Sequence, residues 1–301
     1  FMNISGSEGL VAAGNIFMGM TESPVLIKNY LPTMNRSEIF LVMVSGMGTI
    51  AGSVMGTYIG MLGGTDPAAK VLFATHLLSA SVMAVPGSIV LAKMLCPQTE
   101  EATDHVAISG KEKENSNILD AISSGTVTGV KLMTNIAAML LVFISLVALA
   151  NYITEGVIGR YTGLNDWIVK ITDGKAQGLT FQFILGVITS PFMWLIGVPS
   201  QDIMLVGSLL GQKTILNEFV AYFQLQQWKD AGLFMYEKSI LMSTYILCGF
   251  ANISSIGILL GGLGVLAPEK RGLISRIGVP AMIGGALVSV LSATIIGMIL
   301  G

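Results

Sequence analysis

Uncharged stretches dominate the chain, and their lengths predict membrane-spanning helices. Six long intervals contain no Asp, Glu, Lys or Arg: 39–65, 71–92, 132–154, 176–201, 239–268 and 277–301. About 20 apolar residues of helix cross the hydrocarbon core of a bilayer, and even the shortest interval reaches that length. Asn35 and Glu38 are spaced as a capping box that would begin the first of these helices. The pattern predicts an all-α polytopic membrane protein.

Two further apolar segments, 9–34 and 203–228, are interrupted by charge. Their charged residues are Glu22, Lys28, Lys213 and Glu218. We interpret both segments as re-entrant hairpins, because irregular backbone is tolerated at membrane depth only inside protein or beside a wet cavity.

The two halves of the chain repeat one arrangement. The segment with Glu22 precedes a span whose middle carries Thr49, and the segment with Glu218 precedes a span whose middle carries Asn252. Interrupted segments at corresponding positions of two halves point to the binding site of a secondary transporter. This arrangement predicts inverted repeats with broken transmembrane helices.

We expect Glu22 and Glu218 to lie inside the bilayer. An ionised group there costs at least about 2.5 kcal/mol, so each carboxylate needs a cation, a substrate donor or a proton. The alternative is that each acid only pairs with its neighbouring lysine, Lys28 or Lys213. Recurrence of the acid in both halves favours a functional role.

Composition narrows the classes of function. The chain is 52% hydrophobic and 11% charged, against about 25% charged residues in soluble domains. This excludes an ordinary soluble enzyme, and the formal net charge of −2 provides no basic field for nucleic acid. Neither His76 nor His105 has a second ligand at metal spacing, and the two cysteines form no disulfide framework. We therefore expect no enzyme.

Three motifs are familiar: AGNIFMGMTESP at 13–24, GQKTILNEFVAY at 211–222 and GFAN at 249–252. They closely resemble the concentrative nucleoside transporter family, and the likeness extends through 79–83 and 97–101 over essentially the whole chain. The resemblance implies two re-entrant helical hairpins and a homotrimer in the bacterial inner membrane. It implies import of nucleosides such as uridine, cytidine or adenosine by sodium symport, through an elevator-type movement.

The resemblance also suggests a domain division. It consists of a first repeat at 1–95, a polar cytoplasmic loop at 96–117, a scaffold span with an interfacial helix at 118–198, and a second repeat at 199–301. Family members have three further transmembrane helices before the first hairpin. Because this chain starts at Phe1, just ahead of that hairpin, we expect it to be a carboxy-terminal portion.

Site residues are carried over at the positions that match the family motifs. The expected ribose contacts are Glu218, Asn252, Ser255 and Phe250. The expected base contacts are Gly19, Met20, Thr21, Glu22 and Val54. The expected sodium ligands are the side chains of Asn15 and Thr49 and the carbonyls of Met18 and Ile50. A carboxylate can accept from two vicinal hydroxyls, and neutral oxygens suit a hard cation.

Met20 departs from the family pattern, since many relatives carry Gln there. A thioether is only a weak acceptor, so the base preference is open. Two alternatives to sodium symport remain at this point. One is proton coupling through Glu22 or Glu218, and the other is an intramembrane enzyme that uses both acids. A channel or receptor is disfavoured, because the paired hairpins with single acids indicate an occludable site.

Overall fold

Two of the six uncharged runs fold as helices that are broken in the middle. The computed structural model describes residues 4–100, 148–172, 174 and 176–301, with scattered positions between 117 and 146. Run 39–65 forms α2 (Arg36–Gly48) and α3 (Gly52–Gly63), joined by extended backbone at Thr49 and Ala51. The predicted capping box is confirmed, since Asn35 and Glu38 each bond to the backbone of the other.

Both predicted hairpins fold back on themselves. The first consists of α1 (Gly6–Gly14) and a short 3₁₀ helix (Ser23–Ile27), which pack together. Helix α5 (Leu164–Ile171) is described below with residues 107–181. The other long α-helices that follow α3 are α4 (Pro67–Leu95), α6 (Phe181–Leu195), α7 (Ile203–Ile215), α8 (Glu218–Asp230), α9 (Glu237–Leu247), α10 (Ile253–Leu266) and α11 (Arg271–Ile299). Helices α7 and α8 form the second hairpin, and α9 and α10 are the second broken helix.

The order of elements is the same in both halves: a hairpin, a broken helix and a long helix. Helices α4 and α11 each have 29 residues. Among the described residues, three helical stretches are long and apolar enough to cross a membrane, namely Arg36–Gly63, Pro67–Leu95 and Pro268–Ile299. The domain boundaries inferred from the sequence stay a prediction.

The helix in the interval 176–201 is shorter than hydropathy predicts. Helix α6 has only 15 residues, and at 1.5 Å per residue it is about 22 Å long, which is shorter than a hydrocarbon core of about 30 Å. The prediction of a full transmembrane span there is wrong, and the interfacial placement of this helix stays a prediction. Most of the predicted span 132–154 and of the polar loop 96–117 lies outside the described residues.

The chain divides into two compact units, Phe1–Val106 with Gln182–Gly301, and Ala107–Phe181. In the smaller unit, a π-helical stretch (Tyr152–Gly159) is followed by α5 (Leu164–Ile171). Asn165 ties this unit together, because its side chain donates to the Glu155 carbonyl and accepts from the amide of Leu179.

Helix α11 is the centre of the larger unit, where it packs against α2, α4, α9 and α10. Gly249, at the break between α9 and α10, has a φ of +142°. A Cβ there would lie 2.9 Å from the carbonyl oxygen of Met47 and 3.0 Å from that of Gly48. The two broken helices therefore meet at their breaks, and only a glycine allows so close an approach.

Candidate functional site

The carboxylate of Glu218 lies at the amino-terminal end of α8. Asn217 caps this helix by accepting from the amide of Val220 at 2.9 Å. Glu218 is only 7% exposed, and its two oxygens have different partners: the Tyr58 hydroxyl donates to Oε1 at 3.1 Å, and the Asn252 amide donates to Oε2 at 3.0 Å. A negative charge is stabilised at a helix amino terminus.

Asn252 is held in one orientation by its own helix. It is the N-cap of α10, and its Oδ1 accepts from the amide and hydroxyl of Ser255 at 2.9 and 3.0 Å. The hydroxyl of Ser254 donates to the same oxygen at 2.6 Å. With Oδ1 committed to these donors, Nδ2 is directed at Glu218. The structure thus joins three predicted sugar residues, Glu218, Asn252 and Ser255, in one hydrogen-bonded chain.

Phe250, the fourth predicted sugar residue, connects the two breaks. Its backbone amide donates to the carbonyl of Thr49 at 3.3 Å. Its side chain is half-buried and packs against two groups of buried apolar side chains, one that includes Met47 and Ala251 and one that includes Ile50 and Tyr245. The second break therefore rests directly on the first.

Tyr58 was missed by the sequence reasoning. It is fully buried on α3, and its ring stacks on that of Tyr222 with 4.2 Å between centroids. The Tyr222 hydroxyl donates to the Thr244 carbonyl at 2.8 Å. The available signal was a tyrosine in an otherwise aliphatic run, and Tyr222 lies four residues after Glu218, on the same face of α8.

Asn15 and Thr49, the two predicted sodium side chains, belong to one buried polar cluster. Asn15 donates to the Ser45 hydroxyl at 3.0 Å and accepts from the Ser23 hydroxyl at 2.8 Å. Thr49 donates to the Ser45 carbonyl at 2.9 Å. The four polar side chains are at most 1% exposed, and all of them carry neutral oxygens. Ser23 and Ser45 were not predicted.

The turn of the first hairpin is attached to the first break. The Phe17 carbonyl accepts from the amide of Gly52, the first residue of α3, at 2.9 Å. Met18, whose carbonyl is a predicted ligand, is half-buried in this turn, and Ile50, the other, is fully buried in the break. These contacts place the predicted cation ligands where the hairpin meets the broken helix.

The predicted base residues point to different neighbours. Met20 is buried against α2, because a Cβ on Gly46 would lie 2.9 Å from the Cβ of Met20. Thr21 lies against Gly262 of α10. Around them, Val54 on α3 is half-buried, and the Glu22 carboxylate covers Gly19 while remaining exposed at the protein surface. The structure therefore shows burial within the protein for Glu218 and not for Glu22.

The alternative that Glu218 pairs with Lys213 is wrong. The Lys213 ammonium donates to the Ile246 carbonyl at 2.8 Å and to the Ser289 hydroxyl at 2.9 Å. The carboxylate of Glu218 is instead held by Tyr58 and Asn252.

The chain is similar to a family model and to several known transporters. The family model described as "Na+ dependent nucleoside transporter C-terminus" matches residues 76–297. The chain is similar to an uncharacterized transporter of Haemophilus influenzae, with 39% identity over 303 residues, 100% of this chain and 67% of the relative. It is also similar to sodium/nucleoside cotransporter 1 of Rattus norvegicus, with 39% identity over 312 residues, 99% of this chain and 45% of the relative.

Solved structures are similar over nearly the whole chain. CNTnw in an inward-facing substrate-bound state gives a TM-score of 0.81 at 36% identity, and covers 99% of this chain and 65% of that one. A CNTnw variant in an outward-facing state gives 0.83 at 36% identity, over 98% and 66%. The chain thus spans slightly less than two thirds of these structures. The likeness confirms the predicted all-α membrane fold with its hairpins and broken helices.

Proposed function

Because this chain belongs to the family of Na+ dependent nucleoside transporters, we propose that it imports nucleosides by sodium symport. The relatives and the solved structures are transporters, so an intramembrane enzyme built on Glu22 and Glu218 is no longer a competing interpretation. Uridine, cytidine and adenosine are the candidate substrates.

The observation that carries this proposal is the convergence of Glu218 and Asn252. Two helix amino termini, those of α8 and α10, bring these side chains to 3.0 Å from each other. A carboxylate offers about four lone-pair positions, so Glu218 can accept from the two vicinal hydroxyls of a ribose beside its present donors. Asn252 adds an amide that is already oriented by Ser255. Such an arrangement recognises a sugar diol.

The coupling cation belongs at the cluster of Asn15, Ser23, Ser45 and Thr49. Hard cations prefer oxygen ligands, and none of these side chains titrates near neutral pH, which favours sodium over protons. A sodium ion there would hold the first hairpin against the first break. Bound sodium would then favour the substrate-ready state, and nucleoside would favour sodium to the same extent.

Alternating access completes the proposal. The two hairpins and two broken helices would carry sodium and nucleoside across the bacterial inner membrane in an elevator-type movement, within a homotrimer. The family relatives have been solved in inward-facing and outward-facing states, which supports such a cycle.

Uptake of labelled uridine by the complete transporter in proteoliposomes tests the proposal. We expect saturable uptake that needs an inward sodium gradient and falls at least tenfold in Glu218→Gln and Asn252→Ala. Asn35→Ala is the matched control, since it removes a helix cap at the end of α2 opposite the first break. Unchanged uptake in both site variants would refute the ribose site. Uptake that does not depend on sodium and is lost when the proton gradient is removed would show that the coupling ion is a proton and not sodium.

A further inference from the structure

Lys213 is a fully buried cation that the proposed binding of nucleoside and sodium does not use. It lies in the last turn of α7 and has 0% exposure. Its ammonium donates to two neutral oxygens, the carbonyl of Ile246 at 2.8 Å and the hydroxyl of Ser289 at 2.9 Å. A charge inside the bilayer region is costly and commonly has a function.

The ammonium lies at the carboxyl end of a half-helix. Ile246 is in the last turn of α9, which ends at Leu247, where the chain breaks. Ser289, which receives one bond from Lys213, donates in turn to the Cys248 carbonyl at 2.8 Å. A helix carboxyl end carries about half a negative charge, and the break leaves carbonyls without helical donors. Lys213 supplies both a donor and a compensating positive charge.

The first repeat has a corresponding junction with a different residue. There, Asn15 ends the first helix of its hairpin and reaches the last turn of α2 through Ser45, 30 residues further along the chain. In the second repeat, Lys213 near the end of α7 reaches the last turn of α9 through Ile246, 33 residues further along. The same junction is therefore lined by neutral oxygens in one repeat and filled by an ammonium in the other.

We infer that Lys213 is a fixed cation that takes, in the second repeat, the place the coupling sodium takes in the first, so that the protein binds one sodium ion rather than one per repeat. This inference rests on the proposed sodium symport. It assigns to Lys213 a positioning role, since the residue acts through the carbonyls of the second break and not on the nucleoside.

The sodium-to-nucleoside ratio of the unmodified transporter is the first test. The reversal potential of uridine-driven current in proteoliposomes, measured at several sodium gradients, gives this ratio. We expect one sodium ion per uridine, and two would overturn the inference. A transporter with no sodium dependence at all would instead refute the proposed symport, so the two failures are distinguishable.

Two variants of Lys213 form the second test. Lys213→Ser removes the charge, opens space and adds a hydroxyl oxygen beside the Ile246 carbonyl and the Ser289 hydroxyl, so a second sodium ion can enter. Stabilisation by a bound ion grows with the logarithm of its concentration and with the number of ions bound. We therefore expect the slope of melting temperature against log sodium concentration to rise about two-fold. Lys213→Met fills the space without charge, and its slope should equal that of the unmodified protein.

Lys93→Ser is the matched control, because Lys93 is also a hydrogen-bonded lysine but pairs with Glu8 at 2.6 Å, outside the second break. In this variant the slope of melting temperature against log sodium concentration should equal that of the unmodified protein, even if the melting temperature itself falls. An unchanged slope in Lys213→Ser would overturn the inference and leave Lys213 as a packing residue. If that variant does not fold, the ratio measured on the unmodified transporter decides alone.

Discussion

The side-chain amide of Asn252 donates to the carboxylate of Glu218 at 3.0 Å, although each residue starts a different helix. Glu218 begins the second half of a hairpin, and Asn252 begins the second half of a broken helix. A ligand bound between them is therefore held by both elements at once. Any movement that separates α8 from α10 would release it.

Glu218→Gln should weaken uridine binding by about 10- to 100-fold, since an unsatisfied buried donor or acceptor costs about 1–3 kcal/mol. The carboxylate now accepts from both Tyr58 and Asn252. An amide has one oxygen, so one of these donors would face an NH₂ group. Uridine affinity measured by isothermal titration calorimetry in detergent checks this.

Tyr58→Phe is expected to have a smaller effect than Glu218→Gln. It removes one donor to the carboxylate but keeps the carboxylate itself, so we expect uridine affinity to fall roughly five-fold, corresponding to a net hydrogen bond of about 1 kcal/mol. Equal losses in the Tyr58 and Glu218 variants would contradict a direct ribose contact by the carboxylate.

Glu218, Asn252 and Thr49 stand out in the sequence as polar residues inside apolar runs, whereas Asn15 was singled out only through the family resemblance. Tyr58 could not be predicted, because its partner lies 160 residues away and the contact depends on how α3 packs against α8. Likewise, Ser45 could not be predicted, because its role depends on the hydrogen bond that it accepts from Asn15 of the first hairpin.

The helix breaks were beyond the reach of hydropathy. The residues around Thr49 and Gly249 are small and uncharged, so a window average treats them as continuous span. The breaks depend on tertiary contacts. The Phe250 amide in the second break donates to the Thr49 carbonyl in the first, and the Gly52 amide beside the first break donates to the Phe17 carbonyl in the hairpin turn. The breaks were indicated instead by the paired arrangement of the two halves, in which an interrupted segment precedes a span with a small, polar middle.

Gly249→Ala should destabilise the protein by about 2–5 kcal/mol, from a strained positive φ and from overpacking. Its φ is +142°, and the new methyl would lie 2.9 Å from the Met47 carbonyl oxygen. Gly257→Ala is the control, because a Cβ there meets nothing within 4 Å and helical alanine gains about 0.5–1 kcal/mol over glycine. Thermal unfolding in detergent measures both. Similar melting temperatures for the two variants would show that the crossing of the breaks tolerates a side chain.

Met20→Gln should change the ratio of uridine to adenosine uptake, because an amide can bond the edge of a base whereas a thioether is a weak acceptor. Met20 is packed against Gly46 of α2, so the test needs a control variant whose side chain has a similar size but no hydrogen-bonding group. Met20→Leu is that control, and it should keep the original uptake ratio. Competition between the two labelled nucleosides in proteoliposomes gives the ratio. Equal ratios in all three proteins would remove Met20 from the base site.

Asn15→Ala should raise the sodium concentration for half-maximal uptake at least tenfold. The substitution removes a proposed ligand and also leaves Ser23 and Ser45 without their shared partner. Because sodium and nucleoside binding are linked, the apparent uridine affinity should fall at low sodium and recover towards its original value at saturating sodium. Thr49→Ser keeps the hydroxyl and should leave the sodium dependence within about two-fold, since a net hydrogen bond of about 1 kcal/mol is retained. A uridine affinity that stays low in Asn15→Ala at every sodium concentration would place Asn15 in the nucleoside site or in the fold, and not among the sodium ligands.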